Sequence, residues 1–187
     1  MSKILHLKMG GTIDSNPYPP EYQPDAEPNG NNESYKALKA LIEAHAPNMH
    51  LHFKEICDLD SKNVGELEKR ALGDAIAQAE NQGDFKRIIV TTGSDRMAEL
   101  GRDLENRNIG QTLPVVLTGA IWPLLNTDRT DGHQNLRQAL THPFGNGVHM
   151  TVGKFFGRAA TAKKDFEKRE FVEMSTEEVA AHSLKLG

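Results

Sequence analysis

Short apolar runs alternate with amphipathic segments along most of the chain. Five of these runs have the length of a strand, and glycine-containing or polar turns bound them. The predicted strands cover residues 4–9, 49–56, 85–91, 113–117 and 148–152. The third run is the most continuously apolar, which is typical of a strand buried on both faces of a sheet.

Helical periodicity fills the intervals between these predicted strands. Apolar residues recur at spacings of three and four, which places them on one face of a helix. The predicted helices cover residues 34–46, 64–79, 96–104, 131–140 and 177–184. Residues 159–170 are rich in charge and show no period, so we expect no regular element there. The alternation predicts an α/β fold, a doubly wound and mostly parallel sheet with helices on both faces.

Residues 14–33 are expected to form a long loop after the first strand. They include five prolines among asparagines, acids and tyrosines. Loops longer than about 12–15 residues are uncommon unless they are functional or disordered. We therefore expect a single domain over residues 1–187 with a mobile active-site loop at about 14–33.

Composition narrows the class of protein. Of the 187 residues, 37% are hydrophobic and 26% are charged, which fits one soluble globular domain. No apolar stretch approaches the roughly 20 residues needed to cross a bilayer, so we expect no membrane partner. The net charge of −4 offers no basic surface for nucleic acid. A single cysteine excludes an internal disulfide and favours a cytoplasmic location.

Four turns that follow predicted strands carry hydroxyls and an acid beside glycine. They are Gly-Gly-Thr-Ile at 10–13, Asp-Ser at 60–61, Thr-Gly-Ser-Asp at 92–95 and Thr-Gly-Ala at 118–120. Open α/β sheets place their ligand sites at the carboxyl edge of the parallel strands. We therefore expect the hydroxyls of Thr12, Ser61 and Ser94 to lie together at that edge.

The residue types alone leave the chemistry of these turns open. The turn at 10–13 matches neither a dinucleotide fingerprint nor a P-loop, because prolines follow it and no Gly-Lys-Ser/Thr ends it. Ser94 can be a nucleophile, a relay or a helix cap, and Asp95 can hold a cation. Lys163 or Lys164 can supply that cation, or both can lie on a solvated basic face.

Neither a metal nor an organic cofactor is expected. His50 and His52 would share one face of a strand, but no third ligand lies nearby in the sequence. Cys57 has no histidine in its own turn to activate it, so we interpret it as a small buried side chain.

Taken in this order and spacing, the motifs resemble those of the bacterial-type L-asparaginases, specifically their amino-terminal domain. The resemblance covers roughly residues 3–165. It is carried by Gly-Gly-Thr-Ile at 10–13, Thr-Gly-Ser-Asp-Arg at 92–96, Pro-Val-Val-Leu-Thr-Gly-Ala-Ile-Trp-Pro at 114–123 and Asp-Gly-His-Gln-Asn-Leu at 131–136. The second of these motifs usually reads His-Gly-Thr-Asp-Thr in that family.

The resemblance implies a hydrolase that converts L-asparagine to L-aspartate and ammonia, with L-glutamine as a weaker substrate. The route is a threonine nucleophile and an acyl-enzyme, without metal or organic cofactor. Carried over by motif, Thr12 is the nucleophile and Ser94 is the second catalytic hydroxyl. Asp95 binds the α-ammonium of the substrate and orients a catalytic lysine.

The catalytic lysine and the tyrosine of the mobile loop each have two candidates. The resemblance implies Lys163 rather than Lys164, because Lys163 lies nearer Thr161 in the sequence. A loop tyrosine should cover the site, and Tyr22 is taken as that residue with Tyr18 as the alternative.

Substrate-binding positions follow from the same resemblance. Ser61 would contact the substrate α-carboxylate, and the carbonyl of Ala120 would contact the leaving amide. The implied set is Gly11, Asp60, Ser61, Gly93 and Ala120.

Three positions depart from the family pattern. Ser94 keeps the hydroxyl of the usual threonine and lacks its methyl group. Lys62 stands where these enzymes often have glutamine, and it could alter how the substrate carboxylate is held. Arg96 replaces a small hydroxyl residue and is the largest change.

Assembly is the last expectation that the resemblance implies. Full-length members carry a second domain that closes the site of a neighbour, and this sequence resembles their first domain alone. The loop after Gly119 carries Trp122, Leu124 and Leu125, which suit a buried contact. We therefore expect a homodimer or a higher homo-oligomer.

Two other functions remain open at this point. One is a non-catalytic module that binds aspartate or asparagine on the same fold, which Arg96 supports. The other is an amidase of the same fold that acts on a different small amide.

Overall fold

A six-stranded sheet forms the centre of the computed structural model, which describes residues 2–17, 30–168 and 170–184. The strands of this sheet are β1 (Ser2–Lys8), β2 (Met49–Glu55), β3 (Phe85–Thr91), β4 (Pro114–Thr118), β5 (Gly147–Val152) and β6 (Phe155–Arg158). Their order is β2-β1-β3-β4-β5-β6. Strands β1 to β5 pair in parallel, whereas β6 pairs antiparallel with β5.

Helices α1 (Glu33–His45), α2 (Glu66–Gln82), α3 (Met97–Asn106) and α4 (Gly132–Thr141) cover both faces of this sheet. Helix α5 (Thr176–Leu184) comes later in the chain. Helices α2 and α3 pack on one face, and α1 and α4 pack on the other. Within β3, Ile88 and Val90 belong to the first core and Ile89 belongs to the second, as strand alternation requires. The doubly wound α/β prediction is confirmed.

The charge-rich region after β6 departs from the expectation. Strand β7 (Ala162–Asp165) pairs antiparallel with β8 (Glu170–Glu173) and forms a separate small sheet. Ala162 and Phe171 anchor this sheet by packing into the core beside α2 and α3. The prediction of no element at 159–170 was wrong, because four-residue strands rich in charge carry too little periodicity to be detected.

The predicted strands and helices agree with the observed ones to within a few residues, whereas β6 had no predicted counterpart. Strands β1 and β2 each end one residue before the predicted end, and β4 ends one residue after it. Helix α2 begins two residues later than predicted, at Glu66, and a left-handed glycine, Gly83, ends it. All four strands whose turns carry hydroxyls therefore end at the same edge of the sheet.

Candidate active site

The turns after β1, β2, β3 and β4 enclose one small cavity at the carboxyl edge of the sheet. Its volume is about 150 Å³. The lining residues are Thr12, Asp60, Ser61, Gly93, Ser94, Asp95, Ala120, Ile121, Lys164 and Phe166. The expectation that Thr12, Ser61 and Ser94 share one edge is confirmed.

Close backbone contact between the turns depends on two glycines. Gly11 has a positive φ of 89°, and a Cβ atom there would overlap the backbone of Gly93. A Cβ atom at Gly93 would lie 2.7 Å from the hydroxyl oxygen of Ser61. Because both positions lack a side chain, the first turn can bring Thr12 against the turns that hold Ser61 and Ser94.

Lys164 connects the polar groups of the third turn. Its Nζ atom donates to the Ser94 hydroxyl at 2.9 Å and also donates to the Asp95 carboxylate. A second ammonium, that of Lys62, lies 3.5 Å from the other oxygen of Asp95. Burial alone would raise the pKa of Asp95, but the hydrogen bond and charge of Lys164 and the charge of Lys62 hold that pKa below its usual value.

Lys163, which the resemblance favoured as the catalytic lysine, lies away from this cluster. Its ammonium pairs with Glu178 of α5, and Lys164 occupies the site instead. The physical reason is strand alternation along β7. Ala162 is buried in the core and Lys164 follows it on the same face, so Lys163 faces the other way.

The β7–β8 sheet is attached to α3 near the point where Lys164 enters the site. Arg102 of α3 donates to the carbonyl of Ala162 at 2.7 Å. The ammonium of Lys164 also lies 5.4 Å and 6.0 Å from the ring centroids of Phe166 and Phe171. These contacts leave the Lys164 side chain only 11% exposed, which limits its movement.

The turn that contains Ala120 is braced by the Asp-Gly-His-Gln-Asn-Leu motif. Asp131 accepts the N–H of Ile121 at 2.8 Å. The side-chain amide of Asn135 donates to the carbonyl of Gly119 at 2.8 Å and to Asp131 at 2.9 Å. The motif was found in the sequence, but its role in holding this turn is visible only in the structure.

The side chains of Arg96 and Lys62, two residues that depart from the family pattern, lie in different places. Arg96 is exposed and lines a separate narrow cleft beside α3. Lys62 is about half exposed and reaches Asp95 within the site. Arg96 therefore does not support the alternative of a non-catalytic binding module. The lysine does change the surroundings of a site carboxylate.

A buried polar cluster that was not expected from the sequence lies beside the first turn. The Asp14 carboxylate accepts the backbone N–H of Ser34 at 2.7 Å and its hydroxyl at 2.8 Å. His6 lies beside this pair, with Nε2 3.0 Å from the hydroxyl of Thr91. Burial raises the pKa of Asp14 to about 6, against the hydrogen bonds of Ser34 and the charge of Lys8. Burial and the charge of Lys8 lower the pKa of His6 to about 3.

Lys8 is a fully buried lysine that joins the later end of the expected loop to the sheet. Its Nζ atom contacts the carbonyl of Asn31 at 2.7 Å, Glu55 at 3.1 Å and Asp58 at 3.2 Å. Asp58 in turn accepts the N–H of Gly30 at 2.9 Å. The two polar residues His6 and Lys8, spaced two apart within an apolar strand, were the signal that could have indicated this cluster.

Tyr22 and Tyr18, the candidates for a covering tyrosine, lie outside the described residues. Within residues 2–17, 30–168 and 170–184, no three His, Cys, Asp or Glu side chains are grouped so that they could hold a metal ion. His50 and His52 are exposed on β2, the edge strand. No helix in the described part of the chain has the length and apolar character needed to cross a bilayer.

Comparison with protein families gives a match over most of the chain. Residues 3–172 match the family described as "Asparaginase, N-terminal". A comparison with curated proteins found no match.

Solved structures of several L-asparaginases share the fold. A probable cytoplasmic L-asparaginase from Campylobacter jejuni is 25% identical with a TM-score of 0.70, and the match covers 88% of this chain and 50% of that one. A thermostable L-asparaginase from Thermococcus kodakarensis is 24% identical with a TM-score of 0.72, covering 91% and 51%. L-asparaginase I from Vibrio cholerae is 23% identical with a TM-score of 0.68, covering 94% and 54%. The chain thus spans about half the length of these structures.

Proposed function

Because the chain belongs to the asparaginase family through its N-terminal domain, we propose that it hydrolyses a small carboxylate-bearing amide of the L-asparagine type and releases ammonia. The observation that carries this proposal is the contact of Lys164 with Ser94 and Asp95 in a cavity that Thr12 also lines. A cavity of about 150 Å³ is well below the roughly 300–1,000 Å³ of drug-sized pockets, so it suits a small molecule.

In the proposed first step, the hydroxyl oxygen of Thr12 attacks the amide carbon. Its proton passes through the Ser94 hydroxyl to the amine form of Lys164, and the relay returns a proton to the leaving nitrogen as the carbon–nitrogen bond breaks. Asp95 keeps the lysine against Ser94 throughout.

A water molecule completes the proposed cycle. It attacks the ester carbon of the acyl-enzyme and gives its proton to the same relay. The relay returns that proton to the oxygen of Thr12 as the ester bond breaks. In this proposal Ser61 holds the substrate carboxylate and the Ala120 carbonyl accepts a hydrogen bond from the amide nitrogen, since both residues line the cavity.

The test is ammonia release from L-asparagine, L-glutamine and a panel of small amides. We expect Thr12→Ala and Ser94→Ala each to lower kcat about a thousandfold or more, and the double variant to be little worse, because residues of one relay act as a unit. Thr141→Ala is the matched control, since that exposed hydroxyl lies at the end of α4. A Thr12→Ala variant that keeps a tenth of the activity would remove Thr12 as nucleophile.

The same assay separates the alternatives. Activity on another amide, with none on asparagine or glutamine, would favour an amidase of different specificity. Binding of L-aspartate without turnover of any amide would favour the non-catalytic module. As part of the same proposal, we place the reaction in the cytoplasm and assign a homodimeric assembly. The free thiol of Cys57 is compatible with that compartment.

A further inference from the structure

The Asp95 carboxylate faces two ammonium groups that belong to the protein itself. Lys164 donates to one carboxylate oxygen, and Lys62 lies 3.5 Å from the other. The Asp95 side chain is 31% exposed, so the remaining approach to it is from the cavity. The family resemblance assigns this carboxylate to the α-ammonium of the substrate, but here both of its oxygens already face a cation.

The backbone holds Lys62 at this position. It directly follows Ser61, which is buried and lines the cavity, in a short 3₁₀ turn (Ser61–Asn63). The Asp60 side chain accepts the N–H of Lys62 at 2.8 Å and caps that turn. The start of the Lys62 side chain is therefore fixed, and its ammonium extends to Asp95.

A substrate α-ammonium entering this site would be the third cation around one carboxylate. Like charges placed close together oppose binding, and the opposition is strongest where water is excluded. A substrate with hydrogen in place of the α-ammonium would leave the two ion pairs of Asp95 intact. The carboxylate of such a substrate would also lie in the field of Lys62.

We propose, on the basis of the amidase function proposed above, that Lys62 determines specificity by occupying the place of the substrate α-ammonium opposite Asp95. The preferred substrates are then β-amides that carry a carboxylate but no free α-ammonium, and succinamate is the simplest of this class. The reaction converts succinamate and water to succinate and ammonium: a carbon–nitrogen bond breaks, a carbon–oxygen bond forms, and nothing is oxidised or reduced.

The kinetic test compares succinamate with L-asparagine, which differ only in the α-ammonium. We expect wild type to have the higher kcat/KM for succinamate. Lys62→Gln should shift the ratio of the two kcat/KM values toward asparagine by about two- to fivefold, the range expected for a half-exposed charge. Lys62→Arg should keep the wild-type ratio. Lys54→Gln, on an exposed position of β2, is the control for loss of a surface charge.

A binding test needs no turnover. Isothermal titration calorimetry should show tighter binding of succinate than of L-aspartate. The ratio of the two dissociation constants should shift toward L-aspartate in Lys62→Gln and stay unchanged in Lys54→Gln. Lys62 is half exposed, so thermal melting of each variant should match wild type.

The outcomes separate this inference from the proposed function. Ammonia release with a preference for asparagine in wild type, or a shift below about twofold in Lys62→Gln, overturns the role of Lys62 and leaves the amidase function standing. No ammonia from any amide overturns the amidase function and the substrate class together, and the ratio of succinate to aspartate binding then decides whether Lys62 selects the ligand. Absence of ammonia release together with absence of binding by both dicarboxylates overturns both proposals.

Discussion

Lys164 reaches across the fold to the end of β3, 70 positions earlier in the chain, and meets Ser94 there. A nearly buried ammonium needs a charged partner and hydrogen-bond acceptors, and Asp95 and Ser94 supply them. An amine that can exchange a proton with a neighbouring hydroxyl is what a serine or threonine nucleophile requires. Loss of the Lys164 side chain should therefore slow the proposed reaction.

We predict that Lys164→Met lowers kcat for ammonia release about a hundredfold or more, because it removes the acid–base group while keeping the side-chain length. Lys163→Met is the matched control. It removes an exposed ion pair with Glu178, which adds little to stability and takes no part in the relay. Steady-state kinetics with both variants checks this. Equal loss in the two, or more than a tenth of the activity in Lys164→Met, would contradict the assignment.

At the scale of elements, β1 combines apolar packing with a buried polar face. Leu5 and Leu7 belong to the core beside α2 and α3, whereas His6 and Lys8 lie on the face that carries Ile4. That face meets the start of α1, where Ser34 contacts Asp14. One strand thereby connects the turn that holds the proposed nucleophile to the helix beyond the expected loop.

The pKa of Asp14 gives this connection a pH dependence. Its folded pKa of about 6 lies above the ordinary 3.8, so the folded state binds the proton more tightly than the unfolded state. The contribution of Asp14 to the free energy of unfolding is therefore full below about pH 4 and falls as the pH rises through 6. The shift corresponds to a loss of about 3 kcal/mol. His6 has the opposite effect on the free energy of unfolding, which it raises as the pH rises, because its folded pKa is lowered from 6.5 to about 3.

We predict that Asp14→Asn gains stability relative to wild type, by about 3 kcal/mol, between pH 4 and pH 7. The neutral amide keeps hydrogen-bonding groups facing Ser34 and removes the buried charge. Urea unfolding of both proteins across this range measures the difference, and His6 cancels because both proteins contain it. Asp74→Asn, at an exposed position of α2, should show no such trend. A difference that stays constant with pH would mean that the pKa of Asp14 is the same in the folded and unfolded states, which would contradict this prediction.

At the scale of the whole molecule, two of the exposed apolar side chains are Phe166 and Leu125. Phe166 is 67% exposed and lines the cavity of the site, and Leu125 is 40% exposed on the loop after β4. Leu124, one of the residues expected to form a contact, instead packs in the core beside α1 and α4. Trp122 has the guanidinium of Arg129 at 5.3 Å from its ring centroid. The surface available for a second subunit is thus smaller than the loop sequence indicated.

We predict a homodimer in solution, because burial of exposed aromatic and aliphatic groups stabilises association. Static light scattering at high micromolar concentration should give twice the mass of one chain. Phe166→Ser should shift the equilibrium toward the monomer, whereas Leu67→Ser, on α2, should not. The mass of a single chain throughout the concentration range would contradict this prediction.

The architecture and the general position of the site follow from features that are local in the sequence. An apolar run followed by a glycine turn predicts a strand end wherever it occurs, as at Gly11 and Gly93. Parallel pairing then brings every such turn to one edge, so Thr12, Ser61 and Ser94 could be grouped before any coordinate was known.

Only the tertiary structure decided which charged side chains reach that edge. In Ala-Lys-Lys-Asp, a shift of one residue in register exchanges Lys163 and Lys164 between the two faces, and nothing local sets the register. It is set by the burial of Ala162 against α3 and by the pairing with β8. The contact of Lys62 with Asp95 and the burial of Lys8 likewise depend on groups distant in the chain, because an ion pair forms wherever packing places opposite charges together.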